Sequence, residues 1–208
     1  MNLDPFGDHH LDALVALGTP RTYPKNTILV HQGDKSEQLF VLLGGRLKVF
    51  LADDDGKEIV VDILTPRQYF GEMSLDGAPR SASVMTTEAS KLVVIQHDDF
   101  RRFLAERPEA SYALIVTLIR RARSLTGMVG NLALLDVYGR VARLLVDNAR
   151  DEAGRRVVAD KMSQQEIANR IGSSREMVSR ILTELKEGGY IAMDDGRIVI
   201  VHTLPKRW

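Results

Sequence analysis

The sequence contains no cysteine. That excludes disulfides, a cysteine-ligated iron–sulfur cluster and a thiol sensor. Long apolar runs are also missing. The longest, Ala113 to Leu118, is broken by Thr117 and is far too short to cross a bilayer. The opening MNLDPFGDHH is acidic and has no apolar core of the kind a signal peptide carries. A soluble cytoplasmic protein is expected. Histidine is scarce, at 5 of 208 residues, and His9, His10, His31 and His97 form no H-x-H pair in the central region. A metal site needs two or three convergent ligands, so no metal is expected. Net charge is missing as well, because 28 Lys and Arg balance 28 Asp and Glu.

That balance hides an asymmetry. Residues 1–107 carry 12 Lys and Arg against 16 Asp and Glu, while residues 138–208 carry 13 against 10. The basic excess lies in the last third, a modest signal for a nucleic-acid partner. At 44% apolar the chain can still build real cores.

One long helix organises the rest. From Pro108 to Asp136, Leu114, Leu118, Arg121, Leu125, Met128, Leu132 and Leu135 recur at alternating steps of four and three. That spacing predicts a heptad seam packed against a copy of itself, and hence a homodimer. Pro108 suits the first helical turn, where its missing N–H costs nothing.

Before this helix the pattern is extended. A short helix over 8–18 precedes strands at Ile28–Val30, Leu39–Leu43, Leu47–Leu51, Glu58–Leu64, Ser83–Met85 and Lys91–Gln96. Asp53-Asp54-Asp55-Gly56 makes a hairpin of two of them. Short strands separated by turns predict an antiparallel jelly roll. Between them lies FGEMSLDGAPRSASV, Phe70 to Val84. Arg80, Ser81 and the Ala82 amide are the donors a buried phosphodiester needs. Glu72 could accept from a ribose hydroxyl, and Gly71 allows close approach. The same Glu and Arg could equally form an ion pair with each other.

After the helix, Val137 to Asn148 is amphipathic, and Ala149 to Gly154 reads as a polar loop. Ser163-Gln164-Gln165-Glu166 is a capping-box pattern, and Ser173-Ser174-Arg175-Glu176 is a second. Two capped helices joined through Gly172 predict a helix-turn-helix. Tyr190–Met193 and Arg197–Val201, joined by Asp194-Asp195-Gly196, predict a β-hairpin wing. Ser174, Arg175, Glu176, Ser179 and Arg180 lie near the N-terminal end of the second helix, where polar groups reach base edges. Lys186 and Thr183 sit further along, facing phosphate or solvent.

The loop at 70–84 resembles the phosphate-binding cassette of cyclic-nucleotide-binding domains. From Thr27 to Val201 the chain resembles the cyclic-AMP receptor protein and fumarate–nitrate regulator (CRP/FNR) family of transcription factors, through Gly33, Gly45, Gly56-Lys57-Glu58, the cassette and the segment Ser174 to Arg180. The resemblance implies an α+β chain with a cyclic-nucleotide-binding-like barrel over 1–107, a dimerisation helix and hinge over 108–136, and a winged helix-turn-helix over 137–208. It implies effector contacts from Gly71, Glu72, Met73, Arg80, Ser81 and Ala82, with Glu72 on the ribose and Arg80 and Ser81 on the cyclic phosphate. The position that reads the base falls on Leu125 and Thr126. Leu125 cannot hydrogen-bond a base and Thr126 can, so cyclic AMP, cyclic GMP, cyclic di-GMP and no effector all remain open. Arg175, Glu176 and Arg180 would read a palindromic TGTGA-like site in double-stranded DNA, and RNA polymerase is an implied partner. The expected function is gene regulation without enzymatic activity. The rival is a metal-dependent jelly-roll enzyme or a haem protein.

Overall fold

The computed structural model describes residues 7–205. Contacts divide them into two units, residues 7–56 with 60–125 and residues 57–59 with 126–205.

The first unit begins with α1 (Gly7–Val15). It continues through β1 (Thr19–Tyr23), β2 (Ile28–Val30), β3 (Gln38–Gly44), β4 (Leu47–Ala52), β5 (Glu58–Leu64) and β6 (Tyr69–Phe70). A 3-10 turn, Glu72–Asp76, precedes β7 (Ser83–Thr86), β8 (Ser90–Gln96), α2 (His97–Glu106) and the long α3 (Pro108–Leu134), whose residues from 126 onward, like the first two of β5, belong to the second unit. The strands form two four-stranded sheets, ordered β1-β8-β3-β6 and β2-β7-β4-β5. β3 pairs antiparallel with β8 and β6, and β7 pairs antiparallel with β2 and β4. This is the expected jelly roll.

The central strands are buried on both faces. In β3, Phe40 and Leu42 join Leu47, Leu64, Phe70, Val84, Leu92 and Val94 inside the barrel. Leu39 and Val41 face the other way and pack with Leu11, Leu14, Phe100, Phe103, Ala110 and Leu114 of the helices. A strand covered on both sides reads as a continuous apolar run, as Leu39 to Leu43 does. The stacked rings of Phe40 and Phe70, 4.7 Å apart, tie the cassette strand to that core.

Two strands escape the sequence pattern. β1, TPRTY, is almost entirely exposed and contains a proline, so it carries no apolar alternation. β6 has two residues.

Two positions of the expected helix seam are used within the chain. Leu114 is buried in the first unit's core, and Arg121 turns toward Glu72. Both belong to the face the barrel and its helices cover, together with Ala110, Ala113 and Thr117. The uncovered apolar residues of the first part of α3 are Tyr112, Ile115, Leu118, Ile119 and Leu125, followed further on by Val129, Leu132 and Leu134. Tyr112, Ile115, Ile119, Ala122, Thr126 and Val129 alternate steps of three and four, one residue out of register with the expected seam.

The second unit contains α4 (Val137–Asp147), β9 (Ala149–Glu152), β10 (Arg155–Val158), α5 (Gln164–Ile171), α6 (Arg175–Glu187), β11 (Ile191–Asp194) and β12 (Arg197–Ile200). The Asp136 carboxylate caps α4 by accepting from Gly139 N–H at 2.7 Å. Val141, Leu145, Ile167, Ala168, Ile171, Val178, Ile181 and Leu185 form the buried three-helix centre. The strands make one sheet, β11-β12-β10-β9. The segment expected as a polar loop, Ala149–Gly154, is therefore strand and turn. Three of its four strand residues, Arg150, Asp151 and Glu152, are polar and exposed, which leaves no pattern to read. Ala153 and Gly154 supply the left-handed turn, at φ 53° and 77°.

Candidate effector and DNA-binding sites

The sensor cassette is built around Gly71. Its φ of 100° lies in the left-handed region, and a Cβ there would fall 2.6 Å from both Arg80 Nη1 and the Gln38 carbonyl. Only glycine lets the arginine lie this close. The Gly71 carbonyl accepts from the Ser74 hydroxyl at 3.0 Å and from Arg80 Nη1 at 3.1 Å. His97 Nε2 lies 3.2 Å away as a third partner.

Arg80 is buried, at 5% exposure. Its backbone N–H donates to Asp34 O, and its carbonyl accepts from Gly33 N–H, both at 2.9 Å. Its Nη1 also donates to Ser74 Oγ at 3.0 Å, and Nη2 donates to Ser36 Oγ at 2.8 Å and to Gln38 O. Both terminal nitrogens are therefore spent on protein. Nε is buried with no partner among the described residues. Burial holds the Arg80 pKa below the ordinary arginine value, partly offset by the Glu72 charge. Arg80 thus offers an anion its positive charge and Nε–H, with two hydroxyl partners that can be exchanged.

Glu72 is the buried carboxylate. One oxygen pairs with Arg121 Nη1 of α3. The other, Oε2, is buried with no hydrogen-bond partner among the described residues. A buried, unpaired acceptor is costly, and a ribose hydroxyl is the kind of donor that would satisfy it. Arg121 also donates to Tyr69 O at 2.6 Å and lies over the Tyr69 ring. Burial pulls the Arg121 pKa down, and the charge and hydrogen bond of Glu72 more than reverse it.

The structure brings Gly71, Glu72 and Arg80 together. Ser81 is exposed and touches the Met73 sulfur at 3.5 Å, Met73 is exposed and Ala82 is half-buried beside them. Leu125 and Thr126, one turn beyond Arg121, are exposed on α3. The sequence reading missed Arg121, Ser36 and His97. The signal for Arg121 was present, since it is the one charged residue in an otherwise apolar seam. Among the described residues, no three His, Asp or Glu are placed to hold a metal ion.

The second site lies on α5 and α6. Ser163 and Glu166 form a complete capping box at the start of α5. Gly172, at φ 64°, ends that helix. The cap of α6 is Ser174, whose hydroxyl accepts from Met177 N–H at 3.2 Å. The expected box from Ser173 to Glu176 is one residue out of register. Gln164, Arg175, Glu176, Ser179, Arg180, Thr183 and Glu184 line one open concave surface. Ser174, Arg175, Glu176 and Arg180 are exposed, Ser179 is half-buried, and Lys186 lies exposed in the last turn. The Glu176 carboxyl is held below the usual carboxylate range by its own backbone N–H and the Ser174 hydroxyl. Arg180 rests against the Met177 sulfur at 2.8 Å. Gln164, not singled out from sequence, completes the surface.

A jelly-roll sensor with a phosphate-type cassette, a long helix and a winged helix-turn-helix define a ligand-gated DNA-binding regulator. Comparison with known proteins agrees. Residues 20–107 match the cyclic nucleotide-binding domain family, and residues 139–204 match the Crp-like helix-turn-helix domain family. The chain is 34% identical over 205 residues to the cAMP-activated global transcriptional regulator Vfr of Pseudomonas aeruginosa, covering 93% of this chain and 94% of Vfr. It is 33% identical over 189 residues to the cAMP-activated global transcriptional regulator CRP of Escherichia coli, covering 87% of this chain and 89% of CRP. Among solved structures it is similar to the c-di-GMP responsive global regulator CLP of Xanthomonas campestris, with TM-score 0.81, 25% identity, and 94% and 100% of the two chains covered. The chain belongs to the CRP/FNR family of transcription regulators.

Proposed function

We propose that this regulator works as a homodimer whose cassette binds a cyclic nucleotide and thereby sets its affinity for a palindromic, TGTGA-like DNA site. Residues 1–107 sense, 108–136 dimerise and hinge, and 137–208 read DNA. The observation that carries the effector reading is the buried, unpartnered Glu72 Oε2 beside two arginines. The cyclic phosphate takes the charge of Arg80 and the Ser81 hydroxyl, and the ribose takes Glu72. Gly71, Met73 and Ala82 border it, with Leu125 and Thr126 on the helix side. The uncovered stripe of α3 supports the dimer, because a contiguous apolar face of this kind marks an association surface. Effector binding then shifts the population toward the setting of the two readers that fits successive major grooves about one helical turn apart. Ser174, Arg175, Glu176, Ser179 and Arg180 meet base edges and Lys186 meets phosphate. RNA polymerase is the further partner, the location is the cytoplasm, and no catalysis or metal is involved. The similarity to CLP favours a second effector, cyclic di-GMP.

Titration calorimetry of the full chain against cyclic AMP, cyclic GMP and cyclic di-GMP tests this, repeated with Arg80→Ala. Truncating one partner of a buried charged contact costs ~2–5 kcal/mol of affinity, so the variant should lose essentially all measurable binding. A wild type that binds none of the three would reject the gating.

A further inference from the structure

With no cysteine in the chain, oxidation at sulfur falls to the methionines. Met73 and Met193 are exposed, at 55% and 53%, while Met85, Met128, Met162 and Met177 are half-buried. Met193 lies on β11 in the second unit, outside the cassette. Met73 lies in the 3-10 turn of the cassette, directly after Glu72. The two exposed sulfurs are therefore matched in access and differ in what surrounds them.

The turn fixes where the Met73 sulfur sits. Glu72 and Ser74, on either side of it, are both buried. The Ser74 hydroxyl donates to Gly71 O at 3.0 Å, and Gly77 N–H donates to Ser74 O at 3.1 Å. The backbone of Met73 is thus held while its side chain faces solvent. Its sulfur accepts from the Ser81 hydroxyl at 3.5 Å. A thioether is a weak acceptor, so this contact gives up the Ser81 proton readily to a phosphate oxygen. A sulfoxide is polar, and its oxygen, carried on the same side chain, would keep that proton. The cassette would then meet a cyclic phosphate with one donor fewer.

We propose that Met73 is a reversible oxidation site, at which conversion to the sulfoxide by hydrogen peroxide weakens effector binding through Ser81. This rests on the reading of the cassette as a cyclic-nucleotide sensor in which Ser81 holds the phosphate. A lone pair of Met73 Sδ attacks one peroxide oxygen. The S–O bond forms as the O–O bond breaks, and sulfur gives up two electrons. The second oxygen takes the proton of the first and leaves as water. Methionine sulfoxide reductases return the thioether, with a dithiol as reductant and water as the product of the lost oxygen.

The test is calorimetry of the full chain with cyclic AMP, cyclic GMP and cyclic di-GMP, before and after hydrogen peroxide. Peptide mass spectrometry locates the added oxygen. Wild type, Met73→Leu, Met193→Leu and Ser81→Ala are each compared with their own untreated form. Leucine is close to methionine in volume and cannot take up the oxygen. Met73 and Met193 should be oxidised ahead of the half-buried methionines. Wild type and Met193→Leu should then lose affinity about ten- to hundredfold, the worth of a hydrogen bond to a charged group. Both should recover it with the reductases and dithiothreitol. Met73→Leu should keep its untreated affinity, and Ser81→Ala should lose little. Equal loss in Met73→Leu would overturn the proposal, as would a wild type that carries oxygen on Met73 and binds as before. It also falls if Met73 stays reduced while Met193 is oxidised, or if the loss is undiminished in Ser81→Ala. A wild type that binds none of the three nucleotides before oxidation would overturn the sensor reading and this one together.

Discussion

The cassette and the recognition helix use the same few residue types in opposite ways. In the cassette, Arg80 and Glu72 are buried and fixed by Ser36, Ser74, the Gly71 and Gln38 carbonyls and Arg121. On α6, Ser174, Arg175, Glu176 and Arg180 lie open, and Arg180 touches the sulfur of Met177. Buried charges are held in one geometry, so a small ligand meets a site already arranged. Their cost is that folding and binding depend on the same atoms. Exposed charges leave the fold alone and are free to meet a long, varied DNA surface. The two sites should therefore separate cleanly in experiment, with stability and affinity moving together at one and independently at the other.

The strongest break in that comparison is Arg121→Gln. It leaves the Glu72 carboxylate buried without its ion pair. Removing one partner of such a pair costs ~3–5 kcal/mol of stability, seen as a lower urea midpoint for the sensor transition. Adding Glu72→Gln should recover much of the loss, since neither half of the pair then remains as an unpaired charge. Effector affinity should fall in both. If Arg121→Gln unfolds at the wild-type midpoint, the buried pair is not what holds α3 to the barrel.

A smaller effect on stability and a sharper one on recognition follow from Arg180→Ala. Its side chain is exposed and makes no buried contact, so the urea midpoint should stay within about 0.5 kcal/mol of wild type. Binding to the preferred DNA site should weaken by ~1–3 kcal/mol, with loss of preference at one base pair of each half-site. Selection from a randomised duplex pool at fixed salt measures this. A profile unchanged in shape would remove Arg180 from base reading.

Most of the architecture was legible because its signals are local. The capping box at Ser163, the break at Gly172 and the double-sided apolar run of β3 each require only neighbouring residues. The features that were not legible depend on long-range partners. Arg121 sits at an apolar heptad position, and only its pairing with Glu72, 49 residues earlier, shows that it has left the seam. Leu114 fits a coiled-coil position as well as a core position, and packing against Phe100 and Phe103 settles which. β1 and β9 are recruited by the strands beside them, with no pattern of their own. In the cassette the residue types were evident and their use was not. Sequence marked Arg80 as a ligand donor, whereas most of its hydrogen bonds build the loop itself.

The finest distinction between the two regions is their response to acid. His97 is buried at the start of α2, with Nε2 3.2 Å from the Gly71 carbonyl. Burial is the main cause that lowers its pKa below the ordinary 6.5, and the Arg80 and Arg101 charges add to it. The Gly71 hydrogen bond and Glu37 oppose the shift without reversing it. In the folded protein His97 therefore binds protons less readily than in the unfolded chain. Between its folded pKa and 6.5 the unfolded state holds more protons, so stability rises with pH there and falls as the solution is acidified. For one proton the slope is at most ~1.4 kcal/mol per pH unit. His97→Gln keeps an N–H donor for the Gly71 carbonyl and cannot titrate. Urea midpoints measured from pH 7.5 down to pH 5 should fall less steeply for the variant. Binding of nonspecific duplex by the exposed charges of α6 should not change with this substitution. Parallel stability profiles for the two proteins would show that His97 does not couple the cassette to pH.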